Sequence, residues 1–279
     1  MNADKDISAF RKTWDILSPA VYYYAVYNVA FILLAFIMSL ILDTSVGARL
    51  QSRNGYEAMM KVVLNSLAML FGTLPLIPLL KGQLYRNKYL DAGPKANPAA
   101  YLVTAIIAFT SSVGLNILII LTGLVGKSES YKQVAERQYG VAFGVGLFIY
   151  GVISPVVEEI VFRGLIYNRM KKYYPIWLSV IVSALLFGAW HGNMVQALYG
   201  TCMGILIAYT YERFKNFKIP CIFHAIANIS VYTITYNQGL YNAVVRSYNA
   251  VVLIGISIVL IVLIEKKLLN AILYGSEEV

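Results

Sequence analysis

Apolar residues are gathered into blocks of about 20 along almost the whole chain, with short polar segments between them. A helix needs about 20 such residues to cross the ~30 Å hydrocarbon core of a bilayer. The pattern therefore predicts an all-α fold, a polytopic membrane bundle of about eight transmembrane helices. The predicted spans are 19–42, 60–80, 98–125, 141–170, 175–192, 194–211, 219–236 and 250–264.

The segment before the first span has a different pattern. Ile7, Phe10, Trp14 and Leu17 follow helical spacing, with basic residues among them. This arrangement is typical of an amphipathic helix that lies in the membrane interface, and we expect one within residues 1–18. The segment has neither a short apolar core nor a small-residue cleavage site, so the first apolar block is expected to be an uncleaved span.

Composition supports a membrane protein. Of the 279 residues, 59% are hydrophobic and 13% are charged, whereas a soluble domain has roughly 45–50% and 25%. The net charge of +9 comes without a nucleic-acid motif, and we expect no nucleic acid as a partner. The excess of positive charge is instead expected to meet the headgroups of membrane lipids. Cys202 and Cys221 lack CxxC spacing, so neither a disulfide framework nor a thiolate metal site is predicted.

The basic residues also predict an orientation. Of the 23 Lys and Arg residues, 16 fall in loops on the same side as the N-terminus. Positive loops stay in the cytoplasm, so both termini are expected there, with the chain in the plasma membrane.

Ionisable residues inside the apolar blocks are few. They are Glu158, Glu159, Arg163 and the chain's two histidines, His191 and His224. Such residues are costly in lipid and usually functional. The alternatives are histidines satisfied within a core and solvated glutamates at the mouth of a span.

Helical spacing gives the two glutamates different surroundings. Glu159 and Arg163 are four residues apart, so they share a helix face and are expected to form an ion pair. Glu158 is rotated by about 100° from Glu159, and we expect it to face a cavity. His224 and Asn228 are also four residues apart, on a later span.

Three motifs carry a resemblance to a known family. EEIVFR (158–163), FGAWH (187–191) and HAIAN (224–228) resemble the EExxxR, FxxxH and HxxxN motifs of the CPBP family, which contains the CAAX prenyl endopeptidases and the prokaryotic Abi proteins. The similarity covers 141–236, which is expected to be the catalytic core. On that basis 1–18 is the interfacial segment, 19–140 holds the N-terminal transmembrane helices, and 237–279 holds the last helix and the tail.

The resemblance implies an intramembrane endopeptidase, with a peptide or protein as the partner. For a prokaryotic member the substrate is a membrane-associated peptide or a small leader, pheromone or bacteriocin-type peptide. Glu158 is then the base that activates water, with His191 beside it, while His224 and Asn228 stabilise the oxyanion. The supporting residues are Glu159, Arg163, Phe187 and Asn193.

The residues allow two mechanisms. A glutamate acting directly on water requires no cofactor. Glu158, His191 and His224 are alternatively the three ligands of a catalytic zinc ion with an open position. The glutamate mechanism is favoured here because Asn228 is a poor zinc ligand and a good oxyanion donor. The usual HExxH signature of zinc proteases is absent from the sequence.

Two other functions remain alternatives. One is a non-catalytic CPBP-type immunity or membrane scaffold protein. The other is a proton-coupled transporter, since carboxylate and histidine side chains inside a membrane also relay protons. The inverted repeats typical of transporters are not visible. The sequence gives neither the peptide substrate nor the oligomeric state.

Overall fold

A computed structural model describes residues 8–52, 55–87, 98–269 and 273. Within these ranges all regular structure is helical, and the predicted all-α fold is confirmed. The helices are α1 Ala9–Leu42, α2 Ser45–Gln51, α3 Tyr56–Thr73, α4 Leu76–Arg86, α5 Pro98–Leu121, α6 Leu124–Lys127, α7 Glu129–Tyr139, α8 Phe143–Met170, α9 Ile176–Trp190, α10 Met194–Phe214, α11 Lys218–Tyr236, α12 Gln238–Val244 and α13 Ser247–Glu265.

The helices are those of a multi-pass membrane protein, but eight spans are not confirmed. In the described part of the chain, α1, α5, α8, α11 and α13 are long and apolar enough to cross a bilayer. A sixth span is obtained if α3 and α4, which meet at a 51° bend, are taken together. The apolar α9 has only 15 residues, about 22 Å of helix. The longer α10 does not qualify, because glycine, threonine and tyrosine interrupt its apolar sequence.

The predicted interfacial helix is not separate from the first span. Ser8 caps the N-terminus of α1, which then continues for 34 residues through Pro19. Its first turns pack on the protein, because Arg169 of α8 donates from Nη1 to the Asp15 carbonyl at 2.6 Å and to Ser18 Oγ at 3.1 Å. These contacts hold the segment against α8. The part of the prediction that concerns residues 1–7 lies outside the described residues.

The helix α8 runs through the centre of the bundle and contains two π-helical stretches, Ile149–Ile153 and Ile160–Tyr167. It contacts α1, α4, α9 and α11. A π-helical stretch is rare and is frequently found at a functional site, because it shifts the backbone hydrogen bonds and re-aims the side chains.

Small residues allow α9 and α10 to pack closely. A Cβ at Gly188 would lie 2.2 Å from Thr201 Oγ1 and 2.5 Å from the Ala197 carbonyl oxygen. A Cβ at Gly204 would lie 3.0 Å from both Ala184 Cβ and Arg163 Nη2. The hairpin of α9 and α10 is therefore held close to the buried guanidinium on α8.

Candidate active site

Four predicted residues line one cavity of about 460 Å³. Glu158 comes from α8, His191 follows the last residue of α9, and His224 and Asn228 come from α11. The sequence separates these residues by up to 70 positions, and the fold brings their side chains to the wall of the same space. The remaining contacts show how each side chain is held there.

The two neighbouring glutamates have different surroundings, as expected. The Glu159 side chain is completely buried, whereas that of Glu158 is 14% exposed and lines the cavity. Ser154, one helical turn earlier, donates its hydroxyl to Glu158 Oε1. One carboxylate is thus enclosed in protein, and the other is oriented into the cavity by a hydroxyl group.

A buried chain of charged and polar contacts connects α8, α10 and α11. Arg163 Nη1 lies 2.9 Å from Glu159 Oε1, which confirms the predicted ion pair. Arg163 Nη2 donates to the Gly204 carbonyl at 3.0 Å. The same oxygen, Glu159 Oε1, lies 2.8 Å from His224 Nδ1. Arg163 therefore holds Glu159, and Glu159 holds the imidazole of His224.

The second ring nitrogen of His224 faces the other glutamate. His224 Nε2 lies 3.8 Å from Glu158 Oε2. With Nδ1 directed at the buried Glu159 carboxylate, Nε2 is the nitrogen presented at the cavity wall. The Glu159 carboxylate sets which ring nitrogen of His224 carries a proton, as in other carboxylate–histidine pairs.

Phe187 packs against three of the functional side chains. Its ring centre lies 4.4 Å from Arg163 Cζ, 5.0 Å from the His191 ring and 5.4 Å from the His224 ring. Both imidazoles are nearly perpendicular to the phenyl ring, at 87° and 88°. The phenyl ring thus fixes the positions of the guanidinium and of the two imidazoles around it.

The His191 side chain is held by the C-terminal turn of α9. Its Nδ1 lies 2.9 Å from the Phe187 carbonyl oxygen, so Nε2 is the ring nitrogen left for other contacts. No hydrogen bond or ion pair within the described residues joins His191 to Glu158. Gly192 then turns the chain at a positive φ of 71°, where a glycine has no Cβ to obstruct the turn.

Asn193 has a structural position at this turn. It is the N-cap of α10, because its Oδ1 accepts from Gln196 N at 2.9 Å. Its Nδ2 donates to Gln196 Oε1. The side chain thereby satisfies a backbone donor at the start of α10. These contacts place Asn193 in support of the turn after His191.

Asn228 is anchored to the first π-helical stretch of α8. Its Nδ2 donates to the Tyr150 carbonyl at 2.9 Å. Such stretches leave carbonyl groups outside the regular i to i−4 pattern, and a side-chain amide is a suitable partner for one of them. An amide nitrogen carries two hydrogens, so the second remains for a further acceptor.

Glu158, His191 and His224, the ligands of the alternative zinc mechanism, do not form a metal cluster in this arrangement. Within the described residues, no three His, Cys, Asp or Glu side chains are grouped closely enough to hold a metal ion. His224 Nδ1 is engaged by Glu159, and His191 Nδ1 by a backbone carbonyl. The residues as placed do not fit a three-ligand zinc site, and no chemical step is assigned to a metal here.

Reasoning from the sequence missed several residues of the cavity. Ser154 could have been identified from the sequence, because it lies four residues before Glu158 on the same helix face. Asn116 of α5 and Gln138 of α7 also line the cavity. Asn116 could have been identified as an amide inside an apolar block. Gln138 could not, because residues 126–140 lie between two predicted spans and α7 was not predicted.

Comparison with known proteins agrees with the motifs. Residues 140–230 match a family model described as type II CAAX prenyl endopeptidase Rce1-like. The predicted family resemblance is confirmed. This CAAX-type segment includes Glu158, His191, His224 and Asn228, and it covers α8 to α11 apart from the last six residues of α11.

Two curated relatives match part of the chain at low identity. The chain is 24% identical over 126 residues to the putative membrane peptidase YdiL of Bacillus subtilis, which is 45% of this chain and 51% of that protein. It is 26% identical over 141 residues to the membrane-embedded CAAX protease MroQ of Staphylococcus aureus, covering 47% and 55%. The chain thus spans about half the length of the relatives that it matches. No solved structure matches it significantly.

Proposed function

We propose that this chain is an intramembrane endopeptidase in which Glu158 activates the attacking water. The observation that carries the proposal is the position of His224, whose ring lies between the buried Glu159 at 2.8 Å and the cavity-facing Glu158 at 3.8 Å. Two relatives named as a membrane peptidase and a CAAX protease support the same reaction class.

In the proposed mechanism, Glu158 Oε2 takes a proton from a water molecule in the cavity. The water oxygen then adds to the carbonyl carbon of the peptide bond. Glu158 next donates that proton to the leaving nitrogen, so that one carboxylate serves first as base and then as acid. Ser154 keeps the other carboxylate oxygen hydrogen-bonded, which leaves Oε2 for the reacting water.

The oxyanion is stabilised by groups already oriented before the reaction. Asn228 offers its second amide hydrogen, and His224 in its protonated form offers Nε2–H. His224 Nδ1 lies 2.8 Å from Glu159 Oε1, which orients the ring. His191 packs against Phe187 and lines the same cavity. Oxyanion donors of this kind contribute about 2.7–4 kcal/mol each.

The proposed substrate is a membrane-associated peptide or a small leader, pheromone or bacteriocin-type peptide, and no cofactor is required. The test is cleavage of synthetic leader-type peptides by the purified full chain in detergent. Glu158→Gln keeps the size of the side chain and removes the base, so kcat/KM should fall by about 10²–10⁴. Glu57→Gln on α3, which is exposed, is the matched control and should stay within about twofold.

Each arm of this test has a defined reading. Cleavage that persists in Glu158→Gln contradicts the proposed role of Glu158. Cleavage by the unmodified protein that stops with a chelator and returns with Zn²⁺ contradicts the metal-free mechanism. Substrate uptake into proteoliposomes, lost in His191→Ala and without any cleavage, would instead indicate a transporter.

We also propose that both termini face the cytoplasm of a cell with this chain in its plasma membrane. The support is the distribution of basic residues, of which 15 of 23 fall on one side when the buried Arg163 of α8 is left out of the predicted 16. A reporter that fluoresces only in the cytoplasm, fused after Val279, should be bright. A dark fusion, together with activity of an export-dependent reporter at the same position, contradicts this orientation.

A further inference from the structure

The cavity extends beyond the CAAX-type segment. Its wall includes Asn116 of α5 and three residues of α7, Tyr131, Gln138 and Tyr139, all of which precede residue 140. The catalytic carboxylate of Glu158 lines the same space. The N-terminal helices therefore supply the surroundings of a substrate held at the proposed active site.

No lysine or arginine of the described residues lines the cavity. Arg163 is fully buried and bound to Glu159 and to the Gly204 carbonyl. On α7, the exposed Arg137 is bonded through Nε to the backbone of its own helix. A carboxylate in the cavity would thus be desolvated and repelled by Glu158.

The tyrosines of α7 keep this part of the wall neutral. Burial raises the pKa of Tyr131 and of Tyr139 above the usual value, so both phenols stay protonated at neutral pH. They are therefore hydrogen-bonding and apolar surfaces without charge. This wall suits an uncharged ligand.

Two amide groups in the wall have unused hydrogen-bonding capacity. In the described part of the chain, no hydrogen bond engages the side-chain amides of Asn116 and Gln138. Other cavity amides are engaged, since Asn65 accepts from Tyr27 and Asn228 donates to Tyr150. An amide has donors and an acceptor in one group, which matches the N–H and C=O groups of a peptide backbone.

We propose that Asn116 and Gln138 bind the backbone of an uncharged, internal peptide segment, so that this chain cleaves away from a free C-terminus. The inference rests on the proposed peptidase function. The proposal predicts that the protein selects substrates with an uncharged internal segment whose main chain lies in the cavity. A peptide whose C-terminal carboxylate lies in the cavity finds no lysine or arginine among the described lining residues to bind it.

The test uses a defined set of 14-residue peptides, each synthesised with a C-terminal carboxylate and with a C-terminal carboxamide. Purified full-length protein is incubated with each peptide, and mass spectrometry locates the cut. We expect cuts four or more residues from the C-terminus, with rates for the two versions within about twofold. Cuts three residues from the end that slow at least tenfold on amidation overturn the inference.

Variants of the two amides test the residues themselves. Asn116→Leu and Gln138→Leu each remove a neutral hydrogen bond, so KM should rise about three- to tenfold while kcat stays within twofold. Gln133→Leu, on the exposed face of the same α7, is the control and should change neither value. Gln138→Glu keeps the shape and removes the N–H donor, in case a leucine disturbs folding. Unchanged KM in both Gln138 variants overturns the role of that residue.

A binding experiment separates this inference from the proposed function. The Glu158→Gln protein is mixed with the same peptides, and the retained ones are identified by mass spectrometry. Retention of both versions, reduced by Gln138→Leu, supports the inference even where cleavage is slow. Retention of neither version overturns it. Cleavage that depends on Glu158 but is confined to terminal tripeptides overturns the inference while the peptidase function stands.

Discussion

The buried ion pair of Arg163 and Glu159 allows a quantitative prediction. Both side chains have zero exposure, and their charged atoms are 2.9 Å apart. At an effective dielectric constant of ~20, such a pair attracts by about 6 kcal/mol, and desolvation offsets much of that. Removing one partner leaves the other charge buried without compensation, which typically costs about 3–5 kcal/mol.

Arg163→Met is the informative change, because methionine fills much of the volume and adds no charge. It leaves the Glu159 carboxylate with the His224 imidazole as its remaining partner and the Gly204 carbonyl without its donor. We expect the free energy of unfolding to fall by about 4 kcal/mol. Glu159→Gln should cost a similar amount. The double variant should lose only about 1–2 kcal/mol, because the unpaired charge is gone.

The measurement is equilibrium unfolding in mixed micelles, with SDS as the denaturant and tryptophan fluorescence as the signal. Lys132→Met on α7 is the control, because its ion pair with Glu129 is exposed and should contribute less than about 0.5 kcal/mol. A loss below about 1 kcal/mol in Arg163→Met would refute the reasoning. So would a double variant whose loss equals the sum of the two single losses.

Three further changes test other parts of the site. Ser154→Ala should lower kcat/KM about three- to tenfold, because the Glu158 carboxylate loses its hydrogen bond. Ser154→Thr keeps a hydroxyl group and should keep most of the original kcat/KM. Equal rates in the two variants would refute the role of the hydroxyl. Asn193→Ala should lower stability by about 1 kcal/mol, measured by the same SDS titration, because α10 loses its N-cap. Tyr139 has a raised pKa in the folded state, so above pH 10 the unfolded chain loses the proton first and stability falls with pH. Tyr139→Phe should make that alkaline fall shallower, and an unchanged slope would contradict the assignment.

Local spacing in the sequence predicted the parts of the site that lie on one helix. The interval between Glu159 and Arg163 predicted their ion pair, and the structure has it at 2.9 Å. The pairing survives although Ile160–Tyr167 is π-helical, because residues four apart still lie on nearly the same face. Bounds of the apolar helices were also predicted within a few residues for α8, α9 and α11.

Contacts between residues on different helices could not be predicted from local spacing in the sequence. Glu158 and Glu159 point about 100° apart on α8, yet both reach His224, because an imidazole has nitrogen atoms on two sides of its ring. Packing of α11 against α8 brings His224 Nε2 to 3.8 Å from Glu158 Oε2. The length of an apolar block does not determine how far one helix slides along its neighbour.

The side-chain amides of α5 and α7 are residues that the family motifs do not predict. Asn116 and Gln138 lie before the segment that matches the family model, but they line the same cavity as Glu158. In the proposed mechanism the chemistry belongs to residues inside that segment, and part of the polar surface of the cavity comes from helices before it. Because the two sets of residues belong to different parts of the chain, a shared motif indicates a reaction class and does not by itself determine the substrate.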